Sequence, residues 1–233
     1  MVARGELKDD SMADRQSLRI DVVSDVVCPW CYLGQKRLDK AAAAVPEIDV
    51  EVNWRPFQLD PTIPAEGLDR QEYMQRKFGD LSRLRDAHAR LESLGAADGI
   101  DFAFDAITVS PNTLDAHRVI RWAGSSGAEV QDRLVRALFS LYFEHGENIG
   151  DHAVLAAAAG EAGMDRAVVE SMLAAGADRE AVAEEAATAS RMGVTGVPCF
   201  LFEGKYAVMG AQEVASLVDA IRQIAAAKAR GEV

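Results

Sequence analysis

The sequence predicts an α/β fold split by a long helical insertion, and three observations point to it. Leu18-Arg19-Ile20-Asp21-Val22-Val23 and Ile48-Asp49-Val50-Glu51-Val52-Asn53-Trp54 alternate in polarity and are rich in β-branched residues, the pattern of strands. A helical stretch separates them, so the first segment reads β-α-β, with parallel strands and a right-handed crossover. Further on, two short apolar runs, Cys199–Phe202 and Tyr206–Met209, flank Glu203-Gly204-Lys205 as a hairpin and precede a last helix. The complete order is β-α-β, helical insert, β-β-α.

Each element has its own signal. Met1 to Ser17 is polar, carries Asp9, Asp10 and Asp14, and lacks the apolar core of a signal peptide. It is expected to be a disordered tail in a cytoplasmic protein, with Met12 as an alternative start. After the first strand, Tyr32 to Ala44 reads as a helix that Pro46 ends. Pro56, Pro61 and Pro64 break the chain after the second strand. Met74, Phe78, Leu81, Leu84, Leu91 and Leu94 then recur at helical spacing. Gly95 to Val109 reads as a long connection anchored by Phe102 and Phe104. Asn112 to Ala123 reads as a helix opened by a capping pair, Asn112 with Asp115. Val130 to Glu144 is another, with Leu134, Leu138, Leu141 and Tyr142 on one face. Shorter helices follow over 153–162, 166–174 and 179–192. Gln212 to Ala227 closes the chain with Val214, Leu217, Val218 and Ile221 on its apolar stripe. The expected division is a tail at 1–17, one α/β unit from 18–60 and 193–230, and an inserted helical domain at 61–192.

Composition narrows the function. The chain has 233 residues, enough for one large domain with an insertion. No apolar run approaches the roughly 20 residues of a membrane span. The net charge of −12 offers no basic track for nucleic acid or an anionic membrane, so neither is expected as a partner. Three cysteines are too few for a disulfide scaffold. A structural zinc usually needs four ligands, often two C-x-x-C pairs. A single pair leaves no metal site to expect.

That pair, Cys28-Pro29-Trp30-Cys31, is the strongest chemical signal. Two thiols at this spacing can close a disulfide with little backbone movement. The motif opens a helix, so the first sulfur meets unpaired N–H groups and the positive end of the helix dipole. Both favour thiolate, the nucleophile of disulfide exchange. Cys28 is therefore the candidate nucleophile, facing solvent at the helix end. Cys31 is the candidate resolving thiol, one turn in and more buried. Pro29 suits the first helical turn, where its missing N–H costs nothing.

The element order, with C-x-x-C after the first strand, resembles the thioredoxin fold. The helical insertion between its halves resembles the DsbA-like superfamily. Asp25-Val26-Val27-Cys28-Pro29-Trp30-Cys31-Tyr32-Leu33-Gly34 is similar to the active-site segment of its FrnE-like branch. Arg55-Pro56-Phe57-Gln58-Leu59-Asp60-Pro61 is similar to that branch's motif after the second strand. Pro111-Asn112-Thr113 with Ala116-His117-Arg118, Gly193-Val194-Thr195-Gly196-Val197-Pro198, and Gly210-Ala211-Gln212 match in the same way. The resemblance implies a thiol–disulfide oxidoreductase with a thioredoxin-like fold, acting on protein or small-molecule disulfides. It needs no cofactor beyond its own redox-active disulfide, with glutathione a candidate co-substrate. It also implies a cis Pro198 beside the disulfide, leaving the Val197 backbone free to pair with an extended substrate. Asn112 would then hydrogen-bond substrate and His117 would move a proton. Trp30 and Tyr32 would form an apolar lip, though Tyr32 reads equally well as core. Cys199 stands where such chains usually carry a non-thiol residue. It reads as a small buried hydrophobe, and leaves open whether a third thiol enters the cycle.

Two other functions compete. Kappa-class glutathione transferases and 2-hydroxychromene-2-carboxylate isomerases share the insertion architecture and resemble the chain around Asn112-Thr113 and Val197-Pro198. Their catalytic position typically carries Ser, and they lack the second cysteine. Having both Cys28 and Cys31 argues against that reading. The other is a non-catalytic, chaperone-like module, which would survive loss of both cysteines.

Overall fold

The computed structural model describes residues 16–79 and 81–233. Strand β1 (Gln16–Ser24) is followed by α1 (Pro29–Ala43) and β2 (Ile48–Pro56). The strands pair in parallel, Gln16 opposite Ile48 through Ser24 opposite Pro56. Gln16 and Ser17, expected in the tail, thus belong to the first strand, because β2 is long enough to pair with them. The rest of the expected tail lies outside the described residues.

The hairpin β5 (Cys199–Phe202) and β6 (Tyr206–Met209) returns to β1 on its other side. The sheet runs β2-β1-β5-β6, with β1 central and β5 antiparallel to it. Helix α9 (Val214–Ala229) packs on α1 and β1. Arg37, buried in α1, fixes that packing by binding Glu213 and the Ala211 carbonyl. This is a thioredoxin-like fold with an unusually large helical share.

The insertion starts with a two-stranded ribbon, β3 (Leu68–Asp69) with β4 (Val109–Ser110), enclosing α2 (Arg70–Phe78) and α3 (Leu81–Asp98). Gly79, at a φ of +67°, separates the two helices where the apolar spacing alone runs on. Helix α3 reaches Asp98, so the following connection is shorter than expected. Phe102 and Phe104 are its buried anchors, with ring centroids 4.8 Å apart. Five more helices follow: α4 (Leu114–Ser125), α5 (Ala128–Phe143), α6 (His152–Ala162), α7 (Arg166–Ala174) and α8 (Arg179–Arg191). Thr113, not Asn112, is the residue before α4, and no Thr113 side-chain bond caps it. Asp115 makes no capping bond in the expected pair. It binds Arg118, His152 and Arg179 instead.

Helices α4, α5 and α8 pack on β2. Gln131 in α5 accepts from the Trp54 amide at 2.9 Å and donates to the Trp54 carbonyl at 3.3 Å. Its side-chain amide therefore takes the place of a neighbouring strand and satisfies the edge of β2. The larger apolar core runs from β1 and α1 into α4, α5 and α6.

Arg118 locks the far side. It is fully buried and donates to Asp115, to the Ala177 carbonyl and, at 2.8 Å, to the Met172 carbonyl. Burial alone would raise the Asp115 carboxyl. Hydrogen bonds from His152 and Arg118, with the Arg179 charge, hold it below the usual range instead. Its folded value is depressed, so its stabilisation is present above the unfolded carboxyl value of about 3.9 and is lost as pH falls through the folded one. Thermal unfolding between pH 2 and pH 6 should show Asp115→Asn losing part of the wild-type acid dependence. Arg118→Ala leaves the Ala177 and Met172 carbonyls without this donor, while His152 and Arg179 still hold Asp115, and should cost about 1–3 kcal/mol at neutral pH.

Candidate active site

The first turn of α1 is built on the β1–α1 loop. Cys28 occupies the N-cap position in an extended conformation, and its amide donates to the Asp25 carbonyl at 3.0 Å. The Cys31 and Tyr32 amides return to the Cys28 carbonyl at 3.0 and 3.2 Å. The Val197–Pro198 bond is cis. The Cys28 thiol donates to the Val197 carbonyl across a long 3.7 Å contact. That carbonyl, expected to be free for substrate, is engaged by the nucleophile itself.

Gly34 makes this approach possible. A Cβ there would lie 2.8 Å from Pro198 Cγ and 3.2 Å from Phe200 Cζ. Pro198 and Phe200 thus face α1. Cys199, one residue between them, points to the other face of the sheet, as strand alternation requires. It clusters there with Val23 and Phe57 against Ala189 and Val194. Burial pushes its thiol up. Cys199 shares no face with Cys28 and Cys31.

All three cysteines are free thiols and all are buried. Cys28 is 4% exposed and Cys31 1%, so the expected exposed nucleophile is a correction: the Cys28 sulfur lies against the Val197 carbonyl within the fold. Cys31 sits within hydrogen-bond reach of Cys28. Burial pushes its thiol well above the ordinary range, and the Cys28 hydrogen bond and charge add to the rise. The Ser24 hydroxyl and the Asp25 main chain pull it back.

The supporting residues divide. Trp30 is 37% exposed and stands as a lip beside the motif, with Leu59 also exposed. Tyr32 does not join it. It is 2% exposed and stacks on Phe139 at 5.1 Å, with Phe102 at 6.0 Å and Phe143 at 6.1 Å, so it is core. Asn112 is also a correction as a substrate group, because both ends of its amide are used internally. Its oxygen accepts from Gln58 and from the Leu114 amide, and its nitrogen donates to the Ile63 carbonyl. It clasps the loop after β2 to the start of α4. His117 is buried and its Nε2 lies 2.9 Å from the Phe57 carbonyl and 3.4 Å from Asp25 Oδ1. It is held between the loop after β2 and the β1–α1 loop.

Asp25 was not singled out by the sequence as a site residue, yet it organises this region. It is 1% exposed, and its Oδ2 accepts from the Leu59 amide at 2.8 Å. Its Oδ1 is buried without a hydrogen-bond partner among the described residues, as is Ser110 Oγ. Both residues line a cavity of about 50 Å³ beside Val27, with Arg70, Lys77 and Tyr142 on its walls. The available signal was an acid beside a serine between two valine pairs, Val22-Val23 and Val26-Val27.

The family model of the DSBA-like thioredoxin domain matches residues 19–222, and the chain belongs to that family. A probable DsbA oxidoreductase from Streptomyces coelicolor is 30% identical, with a TM-score of 0.81 over 93% of this chain and 91% of that one. A 2-hydroxychromene-2-carboxylate isomerase is 20% identical, with a TM-score of 0.65 over 91% of this chain and 98% of its own. A cytosolic disulfide reductase, DsbM from Pseudomonas aeruginosa, solved with GSH, is 18% identical. Its TM-score is 0.58 over 89% of this chain and 99% of its own. The last two likenesses are of fold.

Gly34→Ala should push Pro198 or α1 aside. An overpacked buried contact costs about 1–3 kcal/mol, so the thermal midpoint should fall and Cys28 should become more accessible to alkylation. Unchanged stability and labelling would show that the neighbours yield without cost.

Proposed function

We propose that this member of the DSBA-like family is a thiol–disulfide oxidoreductase that cycles Cys28 and Cys31 between dithiol and disulfide. The observation that carries the reading is Cys28 at the N-cap of α1, against Val197 and cis Pro198, with Cys31 one turn behind it in reach. The Cys28 thiolate attacks a substrate disulfide, and half of the substrate leaves as a thiol. Cys31 then attacks Cys28, releases the other half and closes the internal disulfide. The same steps run backwards when the substrate is a dithiol, and the potential of the partner pool sets the direction.

The substrate class is protein or small-molecule disulfides. An extended segment would displace the Cys28 thiol from the Val197 carbonyl and donate its own amide there. Trp30 and Leu59 offer it apolar surface. The internal disulfide is itself the redox group, so no resident cofactor is required, and glutathione is a suitable co-substrate for returning it to the dithiol. No described helix is long and apolar enough to cross a membrane. We place the protein in the cytoplasm. The reducing pool there makes reductase or isomerase work the natural direction, and the similar DsbM is a cytosolic disulfide reductase.

Cys31→Ser should accumulate mixed disulfides through Cys28, seen by mass spectrometry, and Cys28→Ser should be inactive in insulin reduction. Retention of full glutathione-conjugating or isomerase activity by Cys28→Ser would favour the transferase and isomerase chemistry instead. Client binding that persists without either thiol would favour a chaperone-like module.

A further inference from the structure

The arginines of this chain follow a rule with a local exception. Outside α2 and α3, every described arginine has a carboxylate within ion-pair distance, from Arg19 with Asp21 to Arg230 with Glu232. With 37 Asp and Glu against 25 Lys and Arg, such partners are plentiful. Arg70 in α2 and Arg85 in α3 have no carboxylate partner among the described residues. Arg70 donates its amide to the Thr108 carbonyl at 2.9 Å and its Nη1 to the Tyr142 hydroxyl at 3.3 Å. Arg85 makes no hydrogen bond among the described residues. Both arginines border one pocket.

Helix spacing builds that pocket. Arg70 and Met74, four apart, share a face of α2, and Leu84, Arg85 and His88 share one of α3. Between these faces and segment 104–108 a space of about 430 Å³ is left. That is the size of a small-molecule site, roughly 300–1,000 Å³. Met74 and Leu84 are half-buried on its walls, and Phe104 and Ile107 are buried beneath it. Phe104 stacks on Phe102 at 4.8 Å and on His88 at 4.0 Å, with interplanar angles of 10° and 11°. The two partners therefore lie on opposite faces of Phe104, and half-buried His88 is the outer ring of a three-ring stack. Burial, and then the Arg70 charge, hold the His88 imidazole below its ordinary range, so the outer ring is neutral at pH 7. Two acids also border the pocket. Asp69 caps α2 by accepting from the Glu72 amide at 2.9 Å, and Asp105 is exposed.

We propose that this pocket binds an aromatic monocarboxylate: its ring extends the stack beyond His88 between Met74 and Leu84, and its carboxylate takes the unpaired charges of Arg70 and Arg85. A planar guanidinium matches a carboxylate through two parallel N–H···O bonds, so an arginine without a carboxylate of its own is suited to one on a ligand. An uncharged aromatic would leave both arginines unused, and a cation would be repelled by them. The site belongs to the inserted helices, and its occupation involves no covalent step. It stands whether or not Cys28 and Cys31 cycle.

The test titrates 2-naphthoate into the full chain and follows the histidine ring protons by NMR, with uncharged 2-naphthalenemethanol as the comparison. 2-Naphthoate should bind with a Kd of about 1 mM or tighter. It should shift the His88 signals and leave those of His152, beside Asp115, in place. 2-Naphthalenemethanol should bind the wild type about tenfold more weakly, and Arg85→Gln and Arg70→Gln should each weaken 2-naphthoate by a similar factor, the size of one hydrogen bond to a charged group. Arg85 is exposed, so Arg85→Gln should fold and exchange thiols at Cys28 as the wild type does. Equal affinity for the acid and the alcohol, or wild-type affinity in either folded arginine variant, would overturn the proposal. So would binding that leaves the His88 signals unmoved, or no binding at about 10 mM. The redox reading is untouched by any of these results, because it is read from thiol exchange and not from this titration.

Discussion

Gly34 has no Cβ, and Pro198 occupies the space that one would need. This close approach joins the two halves of the thioredoxin-like unit, which are separated in the chain by the whole insertion. Without it the Val197 carbonyl could not reach the Cys28 sulfur, a contact between residues 169 positions apart. The sheet serves the same end. β1 is central, and its C-terminal end carries the loop to Cys28 on one side and pairs with Cys199, next to the cis proline, on the other. The redox motif is thus held by the middle of the sheet, where neither edge can fray.

The insertion is fastened to this centre by polar groups that apolar packing would not supply. Asp25 receives the Leu59 amide, His117 meets the Phe57 carbonyl, and Asn112 holds Gln58 and Ile63. All three fix the same short loop after β2. Buried polar groups are costly when half satisfied, and here they specify one position for the loop after β2. Gln131 does the equivalent on the outer edge of β2. The helical insert is therefore tied to loop 57–59, which Asp25 holds to the loop leading to Cys28.

The strands, the C-x-x-C helix and the proline loop were legible because each has a short-range signal: alternation, spacing, a proline at a strand start. The tertiary use of individual side chains had no such signal. Tyr32 follows the motif directly, and only the aromatic rings of α5 and the Phe102 segment, far away in sequence, show that it turns inward. Asn112 and His117 stand in a helix-start pattern that is equally compatible with facing a cleft or clasping a loop. The loop after β2 decides between them, and its path depends on Asp25. The inner position of Cys199 follows from strand period, but only once Pro198 is known to face α1.

The two thiols of the motif are almost equally hidden, so exposure does not assign their roles. Under the proposed exchange, their surroundings set them apart. Cys28 precedes α1, and the unpaired amides of a first helical turn lie next to a charge at that position. Its sulfur also makes a long contact to the Val197 carbonyl, which an incoming amide can replace. Cys31 lies inside the helix, where burial favours the protonated form. One thiol at the N-cap and a second, buried thiol one turn behind it is the order that the proposed two-step exchange requires. The same arrangement accounts for the motif's position at the N-terminus of α1: one turn further along, both sulfurs would share the environment of Cys31, and neither would be ready to attack first.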